Sequence, residues 1–337
     1  MLDTILLVLI FGIALGFGFS NGLNDAANAV AASIGSRALS PRIAIILAAF
    51  ANLAGAIHGA AIGAAVAKTI GKGILSPETV AGDLGYSIII GAVAAAIIWT
   101  VVATHMSLPI SVSHSLISGL VGAGLATGSA VGWAKFGTTL AAVICAPLLG
   151  FLGAFTIMIL LLWFCYKAAP GRVQNIFRRL QYLTTAFLAY AHGKNDGQMP
   201  IALMVMAIVL YYDNPVYWDS IPWGIIVASA LSISLGTALG GWRVIKTVGF
   251  RVTKLDPVHG FASDLSAGAV IEFASTLGIP VSTTHCSVAS VMGVGVTHRL
   301  SAVRWGTTQN ILAAWVLTFP ICIALGWILT NLLKLVV

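Results

Sequence analysis

The sequence predicts an all-α polytopic membrane protein made of two inverted repeats of about five crossings each. Three observations predict it: apolar segments of spanning length, a polar pattern of the first half that recurs in the second, and basic residues confined to alternate loops. Of 337 residues, 59% are apolar and 8% are charged, with a mean hydropathy of +1.00. Because a soluble domain carries about 25% charged residues, this composition excludes a chain surrounded by water.

Apolar segments near the roughly 20 residues that a membrane helix needs recur along the whole chain. They include residues 43–66, 87–103, 138–165, 221–239 and 311–333. Residues 5–19 are also apolar, but Leu2, Asp3 and Thr4 precede them and provide no basic region. We therefore expect this segment to belong to the mature protein and not to a cleaved signal peptide.

Polar and small residues of the first half recur in the second half at one constant spacing, which we call the repeat spacing. The matched pairs that define it are Gly22/Gly193, Asn24/Asn195, Asp25/Asp196, Pro109/Pro280, Ser111/Ser282, His114/His285, Gly122/Gly293 and Gly124/Gly295. Further along, Trp133 matches Trp305 and Pro147 matches Pro320 at a slightly larger spacing. We therefore predict a first repeat at 1–165, a basic cytoplasmic linker at 166–180 and a second repeat at 181–337.

The basic residues predict the orientation. Twelve of the 17 lysines and arginines lie in loops near 35–42, 166–180, 239–258 and 298–305. Four lie at the chain ends or near 68–83, 129–137 and 211–221. Since cytoplasmic loops carry an excess of lysine and arginine, we expect a multi-pass protein of the cell (inner) membrane with the first set of loops in the cytoplasm. With an odd number of crossings per half, the two halves have opposite orientations in the membrane. Such inverted repeats are typical of secondary transporters.

Two polar clusters interrupt apolar segments at equivalent places, residues 20–28 and 192–200. A charged side chain in mid-membrane costs at least roughly 2.5 kcal/mol on insertion scales. Glycine and proline interrupt a helix and leave backbone N–H and C=O groups without partners, which hydrocarbon cannot supply. Both costs are tolerable where the helix lines a polar cavity, so we predict that each cluster is a broken helix at a midplane site.

Two further segments, 107–115 and 278–286, each combine a proline turn with hydroxyl side chains and then an apolar helix. Serine and threonine are favoured helix N-caps, and a helix N-terminus attracts anions through its free N–H groups and positive partial charge. We expect these Pro/Ser hairpins to meet at the midplane and to form one anion site. Simple helix capping is the alternative for each serine.

Asp25 and Asp196 beside an anion create strong repulsion in a low dielectric. Na⁺ held by carboxylate, amide, hydroxyl and carbonyl oxygens would relieve it, and so would protonation of the carboxylates. Either way the anion binds only together with cations, which is the physical basis of symport. An anion channel remains a less favoured alternative.

Other classes of protein fit the sequence poorly. The basic residues lie in short loops, so the net charge of +7 indicates topology and not nucleic-acid binding. HExxH, GxSxG and P-loop motifs are absent from the sequence, so neither an enzyme nor a cofactor is expected. Cys145, Cys165, Cys286 and Cys322 lie scattered in apolar segments, without metal-ligand spacing.

Two motifs resemble those of a known family. Residues 22–29, Gly-Leu-Asn-Asp-Ala-Ala-Asn-Ala, closely resemble the GANDVANA signature of the PiT family of inorganic phosphate transporters, and residues 280–286 match its PxSTTHC segment. The resemblance covers nearly the whole chain and implies Na⁺-coupled phosphate uptake with essential carboxylates at Asp25 and Asp196. Lys194 and Asn52 depart from it, since many members carry Glu where Asn52 stands. The family also includes proton-coupled and sulfate-transporting members, which remain alternatives.

The hypothesis assigns each candidate residue to one of two ligands. The predicted Na⁺ ligands are Asn21, Asp25, Asn28, Asp196 and Gln198. The predicted phosphate-binding residues are Asn24, Ser111, Ser113, Asn195, Ser282, Thr283 and Thr284. The roles of Lys194, Asp264 and Glu272 stay open. The glycine-rich helices allow close packing within or between subunits, so a homodimer also stays open.

Overall fold

The computed structural model describes residues 2–75 and 83–335, and the regular elements in these residues are helices. Residues 76–82 of the predicted 68–83 loop lie outside the described residues. The helices are α1 (Leu2–Gly35), α2 (Pro41–Ala61), α3 (Ala65–Gly73), α4 (Asp83–His105), α5 (Val112–Thr127), α6 (Trp133–Cys165), α7 (Pro170–Asp196), α8 (Gln198–Tyr212), α9 (Trp223–Leu239), α10 (Trp242–Lys246), α11 (Pro257–Thr276), α12 (Thr283–Val296) and α13 (Trp305–Leu333). This architecture confirms the predicted all-α membrane fold.

Local sequence signals start several of these helices. Pro41, Pro170 and Pro257 stand in the first turn of α2, α7 and α11, where the missing N–H costs nothing. Ser111 and Ser282 are the N-caps of α5 and α12, and each side chain accepts a hydrogen bond from a backbone N–H one turn later. The two capped helices therefore begin directly after the proline turns.

Five described helices are long and apolar enough to cross a membrane: α1, α2, α4, α6 and α13. A sixth span is present if α9 and the segment after it, which are bent by 57°, count as one. With 16 and 14 residues, α5 and α12 are shorter than the roughly 20 residues of a full span, so they complete hairpins with α4 and α11.

The ends of the first hairpin lie on one side of the molecule. Leu75 and Val131 form an isolated β-bridge, and Gly132 N donates to Ile74 O at 2.8 Å. The chain thus returns after α5 to the place where it was before α4. The number of crossings in each half, and with it the inverted orientation of the two halves, stays a prediction.

The two polar clusters differ in backbone structure. The first is not broken, because α1 continues through residues 20–28 to Gly35, and the prediction of a discontinuous helix there is wrong. The second is interrupted between Asp196 and Gln198. The difference follows from Pro200, which has no N–H to donate to the carbonyl of Asp196. The equivalent position in the first half is Ala29, which keeps that hydrogen bond available.

Two other breaks were not predicted. The segment after α2 turns at residues 62–64 before α3, with Ala64 at φ 50°, and α9 ends at Gly240 with φ 66° before α10. Much of the predicted linker 166–180 is also helical, because α7 already begins at Pro170 and carries Arg172, Arg178 and Arg179 on its exposed face.

Equivalent helices exchange their partners between the halves. α5 packs against α13, and its equivalent α12 packs against α6; likewise α1 packs on α9 while α7 packs on α2. Gly22 and Gly193 permit the second pair of contacts. A Cβ at either glycine would collide with a backbone carbonyl, of Ile233 or Asn52 respectively. This packing brings the two signature clusters and both hairpin tips into one interior.

Candidate functional site

The tips of the two hairpins touch in the interior of the protein. Ser113 Oγ donates to Val281 O at 3.4 Å, and Thr284 Oγ1 donates to Ile110 O at 2.8 Å. The N-termini of α5 and α12 are therefore neighbours, as expected from the Pro/Ser segments.

Two carboxylates from the two halves converge beside these tips. Asp25 on α1 and Asp196 at the end of α7 are each at most 1% exposed. His192 lies one turn before Asp196, and its Nε2 is 3.7 Å from Asp25 Oδ2 and 3.2 Å from Asp196 Oδ2. The three residues offer ligand atoms within 4.8 Å of one another. We call Asp25, His192 and Asp196 the carboxylate–histidine cluster.

Hydroxyl groups of α12 contact this cluster directly. Thr283 Oγ1 lies 3.4 Å from Oδ2 of both aspartates, and Thr284 Oγ1 lies 3.2 Å from Asp25 Oδ1. Asn28 Nδ2 donates to the same two hydroxyls at 3.2 and 2.9 Å. Residues predicted for phosphate and residues predicted for Na⁺ thus form one buried network and not two separate layers.

The two signature asparagines occupy unlike environments. Asn195 Nδ2 donates to Asp196 Oδ1 at 2.6 Å and to Val281 O at 3.0 Å, so Asn195 belongs to the network. Asn24 Nδ2 instead donates to Thr104 Oγ1 at 2.7 Å, on the side of α4. The structure therefore brings one of the pair to the carboxylates and directs the other towards the α4–α5 hairpin.

Four predicted site residues make other contacts. Ser111 and Ser282 cap their helices, which was the alternative interpretation of these positions. Asn21 is buried and donates weakly to Met199 Sδ at 4.0 Å, while its Oδ1 has no partner among the described residues. Gln198 points away from the carboxylates: its Oε1 accepts from Val66 N and Ala67 N at the start of α3. The structure thus gives no support to Gln198 as a Na⁺ ligand.

His192 and Asn52 were not predicted as site residues. Asn52 Oδ1 lies 3.1 Å from His192 Nδ1, and Asn52 Nδ2 donates to Thr237 Oγ1 at 2.8 Å. These hydrogen bonds, which run from α9 through α2 to His192, orient the imidazole so that its Nε2 faces the carboxylates. A usable signal was present, because the repeat spacing pairs His192 with Asn21, each one helical turn before its aspartate.

The remaining intramembrane charges lie outside the network. Lys194 is 4% exposed and forms an ion pair with Glu272, and its Nζ also donates to Thr276 Oγ1 at 3.3 Å. It is paired with α11 and not with Asp196. Asp264 is buried between α7 and α11, where Thr185 Oγ1 donates to its Oδ2 at 3.1 Å.

The oxygen atoms of this network could coordinate a cation. Two carboxylates, two hydroxyls and an amide contact one another in the buried interior, where unpaired charges are costly. Hard cations prefer carboxylate, hydroxyl and carbonyl oxygens, whereas the imidazole nitrogen of His192 binds a proton well and Na⁺ poorly. The negative charge of the cluster can therefore be reduced by binding either a hard metal cation or a proton.

Comparisons with known proteins agree with one another. A model described as "Phosphate transporter family" matches residues 21–326. The chain is similar to a "Probable low-affinity inorganic phosphate transporter" of Rhizobium meliloti, with 39% identity over 94% of this chain and 92% of the relative. It is 37% identical to a protein of the same description from Bacillus subtilis, over 98% of both chains. A solved structure, "The sodium-dependent phosphate transporter", matches with a TM-score of 0.90 and 27% identity, over 98% of this chain and 100% of the other.

Proposed function

Because this chain belongs to the phosphate transporter family, we propose that it carries inorganic phosphate across the membrane in symport with Na⁺. Family membership makes it a membrane transporter and not an enzyme. The observation that carries the proposal is the convergence of Asp25 and Asp196, from equivalent positions of the two halves, on one buried cluster. A phosphate anion can approach this cluster only if its negative charge is balanced.

Na⁺ is the preferred coupling ion for chemical reasons. Both aspartates, Thr283 and Thr284 offer the oxygen atoms that a hard cation prefers. The similar solved structure is described as sodium-dependent. When Na⁺ takes these oxygens, the Thr283 hydroxyl and the Asn195 amide no longer have to satisfy the carboxylates, and their donors become free for phosphate oxygens. Binding of the two ligands is then mutually supportive.

We propose alternating access as the transport mechanism, with inverted repeats at 1–165 and 181–337 and the basic loops in the cytoplasm. The exchanged packing of α5, α12, α6 and α13 supports it, because the short helix of each hairpin packs against a long helix of the other half as well as against its own hairpin partner. Small rotations of one set of helices against the other would then open the central site to either side. Such motion also distinguishes the proposal from a channel, which needs a continuous open path.

Proton coupling is the second candidate, and His192 is the observation that favours it. Its Nε2 lies between the two carboxylates, where a protonated imidazole would occupy the position of a cation. In that case a proton bound by the cluster replaces Na⁺, and the phosphate site is unchanged.

Uptake of radiolabelled phosphate into proteoliposomes tests the proposal. An inward Na⁺ gradient and an inward proton gradient are imposed separately at a clamped membrane potential, and arsenate and sulfate are tested as competitors. Saturable uptake that follows the Na⁺ gradient and is competed by arsenate but not by sulfate supports Na⁺–phosphate symport. Uptake that follows only the proton gradient selects the second candidate, and the absence of phosphate uptake under both gradients overturns the proposed function.

A further inference from the structure

We propose that a cavity lined by Leu23 of the first signature binds an inorganic oxyanion, with Arg243 as its main ligand, on the side of the predicted basic loop 239–258. The cavity has a volume of about 230 Å³ and lies between α1, the end of α4 and the break that separates α9 from α10. It is lined by Leu23, Thr104, His105, Gly240, Gly241, Trp242 and Arg243. The inference rests on the proposed function and deepens it, because it adds a second binding position for the same anion.

Arg243 has free hydrogen-bond donors at this place. Its Nη1 donates to the backbone carbonyl of His105 at 2.9 Å, which holds the side chain at the edge of the cavity. Within residues 2–75 and 83–335 it makes no ion pair. The planar guanidinium keeps further N–H groups, in the fork geometry that matches phosphate oxygens. An exposed arginine that lines a cavity without a carboxylate partner is suited to an anion.

The lining excludes other kinds of ligand. It contains no carboxylate, so the cavity offers a metal cation none of the acidic oxygens that hard cations prefer. Leu23 and Trp242 contribute apolar walls, so Arg243, His105 and Thr104 supply the polar groups that a ligand would bind. A small anion is the ligand class that this lining and this charge recognise.

A hydrogen bond links the lining of the cavity to the interior. Thr104 lines the cavity, and its Oγ1 accepts from Nδ2 of Asn24, which is 1% exposed and precedes Asp25. Thr104 Oγ1 in turn donates to Thr100 O at 2.7 Å. Leu23, on the other wall, is the preceding residue of the same signature. An anion leaving the carboxylates towards the basic face would pass Asn24 and reach Arg243 once this bond opens.

The equivalent place in the second half is built differently. At the repeat spacing, Leu23, Thr104 and His105 correspond to Lys194, Ser275 and Thr276. There the matching contact is present, because Ser275 Oγ donates to Asn195 Oδ1 at 3.2 Å. The Lys194 ammonium, however, is neutralised by Glu272 and bonded to Thr276. The lysine that stands at the equivalent of Leu23 therefore has an acidic partner, whereas Arg243 of the first cavity donates to a backbone carbonyl, so we assign the oxyanion site to the Arg243 cavity.

The test uses phosphate counterflow in proteoliposomes whose orientation has been sorted, with KM for phosphate measured separately at each face. We expect Arg243→Gln to raise KM at the face of the basic loops by about tenfold, as for the loss of one charge-assisted ligand, and to leave KM at the opposite face unchanged. Arg243→Lys keeps the charge without the fork and should give an intermediate KM. Lys246→Gln is the matched control, because it removes the same charge from the same helix outside the cavity lining.

The outcomes separate this inference from the proposed function. Counterflow by the unchanged protein, together with a one-sided rise of KM in Arg243→Gln but not in Lys246→Gln, supports the site. An unchanged KM at both faces, or an equal rise at both faces, means that the cavity is only an aqueous passage and overturns it. If the unchanged protein performs no phosphate counterflow, the proposed function itself fails. The elution profile and thermal stability of Arg243→Gln in detergent must match those of Lys246→Gln, and Arg243→Lys then carries the test if they do not.

Discussion

Ser113 and Thr284 make the same contact from opposite hairpins. They are equivalent at the repeat spacing, each in the first turn of its short helix, and each donates to a backbone carbonyl at the opposite tip: Val281 O for Ser113 and Ile110 O for Thr284. The two acceptors are themselves equivalent at the same spacing. The pair of hydrogen bonds is thus related by the same internal repeat as the sequence, and it ties the tips together next to Asp25.

Thr284→Val should weaken this junction more than Ser113→Ala. Thr284 has the shorter hydrogen bond to its carbonyl, 2.8 against 3.4 Å, and it also accepts from Asn28 and contacts Asp25. Valine keeps the shape of threonine but leaves these buried partners unsatisfied, which costs about 1–3 kcal/mol. Thermal unfolding in detergent measures the difference, with Thr284→Ser as the control that retains the hydroxyl. A melting temperature of Thr284→Val equal to that of Thr284→Ser would contradict the contact.

Asp25→Asn and Asp196→Asn should each abolish Na⁺-driven phosphate uptake, with normal insertion into the membrane. The amide removes the charge that a coupling cation neutralises but keeps the size of the side chain. Uptake into proteoliposomes containing equal amounts of each variant measures the effect.

Asp219→Asn is the control for these two variants. Asp219 is exposed and Lys68 donates to it at 3.1 Å, which lowers the pKa of its carboxyl below the usual range, so it is charged at neutral pH. The same loss of charge outside the cluster should leave uptake near that of the unchanged protein. Full uptake by Asp25→Asn would remove the carboxylates from the mechanism.

Gly22→Ala and Gly193→Ala should each destabilise the protein by about 1–3 kcal/mol, because the added Cβ collides with the backbone of α9 or α2. Gly22 on α1 and Gly193 on α7 each lie one helical turn before an aspartate of the cluster, so uptake should fall with stability. Gly12→Ala is the matched control on α1, since no atom beyond the neighbouring backbone of its own helix lies within 4 Å of its Cβ position. Alanine there should be neutral or slightly stabilising, as helix propensity favours it over glycine. Equal melting temperatures for all three variants would show that the close approach is absent.

Gln198→Ala distinguishes the prediction made from the sequence from the placement in the structure. The sequence predicts a Na⁺ ligand, whereas in the structure Gln198 Oε1 accepts from two N–H groups at the start of α3. Loss of such a cap costs about 1 kcal/mol, so we expect a lower melting temperature and an unchanged Na⁺ concentration for half-maximal uptake. A several-fold rise in that Na⁺ concentration at unchanged stability would restore Gln198 to the cation site.

The polar pattern was sufficient to predict the all-α membrane fold and to name several residues that the structure brings together. Asp25, Asp196, Asn28, Thr283 and Thr284 meet because intramembrane polar residues have few favourable places other than a shared interior. The repeat added the expectation that equivalent segments meet, and the hairpin tips do.

Other features depend on three-dimensional context that a linear pattern does not contain. Asn24 and Asn195 are matched in the sequence, yet only Asn195 donates to a carboxylate, because Thr104 Oγ1 on α4 accepts the hydrogen bond of the Asn24 amide. Gln198 lies away from the carboxylates because its Oε1 accepts from two backbone N–H groups at the start of α3, a contact between segments far apart in the sequence. His192 was overlooked because the residue at the matching position, Asn21, is of another chemical type.

Lys194 and Glu272 form the ion pair between α7 and α11, and removing one partner should cost more than removing both. Lys194→Leu leaves a carboxylate without its counter-ion in an apolar surrounding, and such losses cost about 3–5 kcal/mol for fully buried pairs. Glu272 is 30% exposed at its side chain, so we expect the lower end of that range. Lys194→Leu combined with Glu272→Leu replaces the pair with apolar contacts and should recover most of the stability, as Leu23 occupies the equivalent position in the first half. Melting temperatures of both single variants and the double variant in detergent measure the coupling, and strictly additive losses would mean that the two side chains do not interact in the protein.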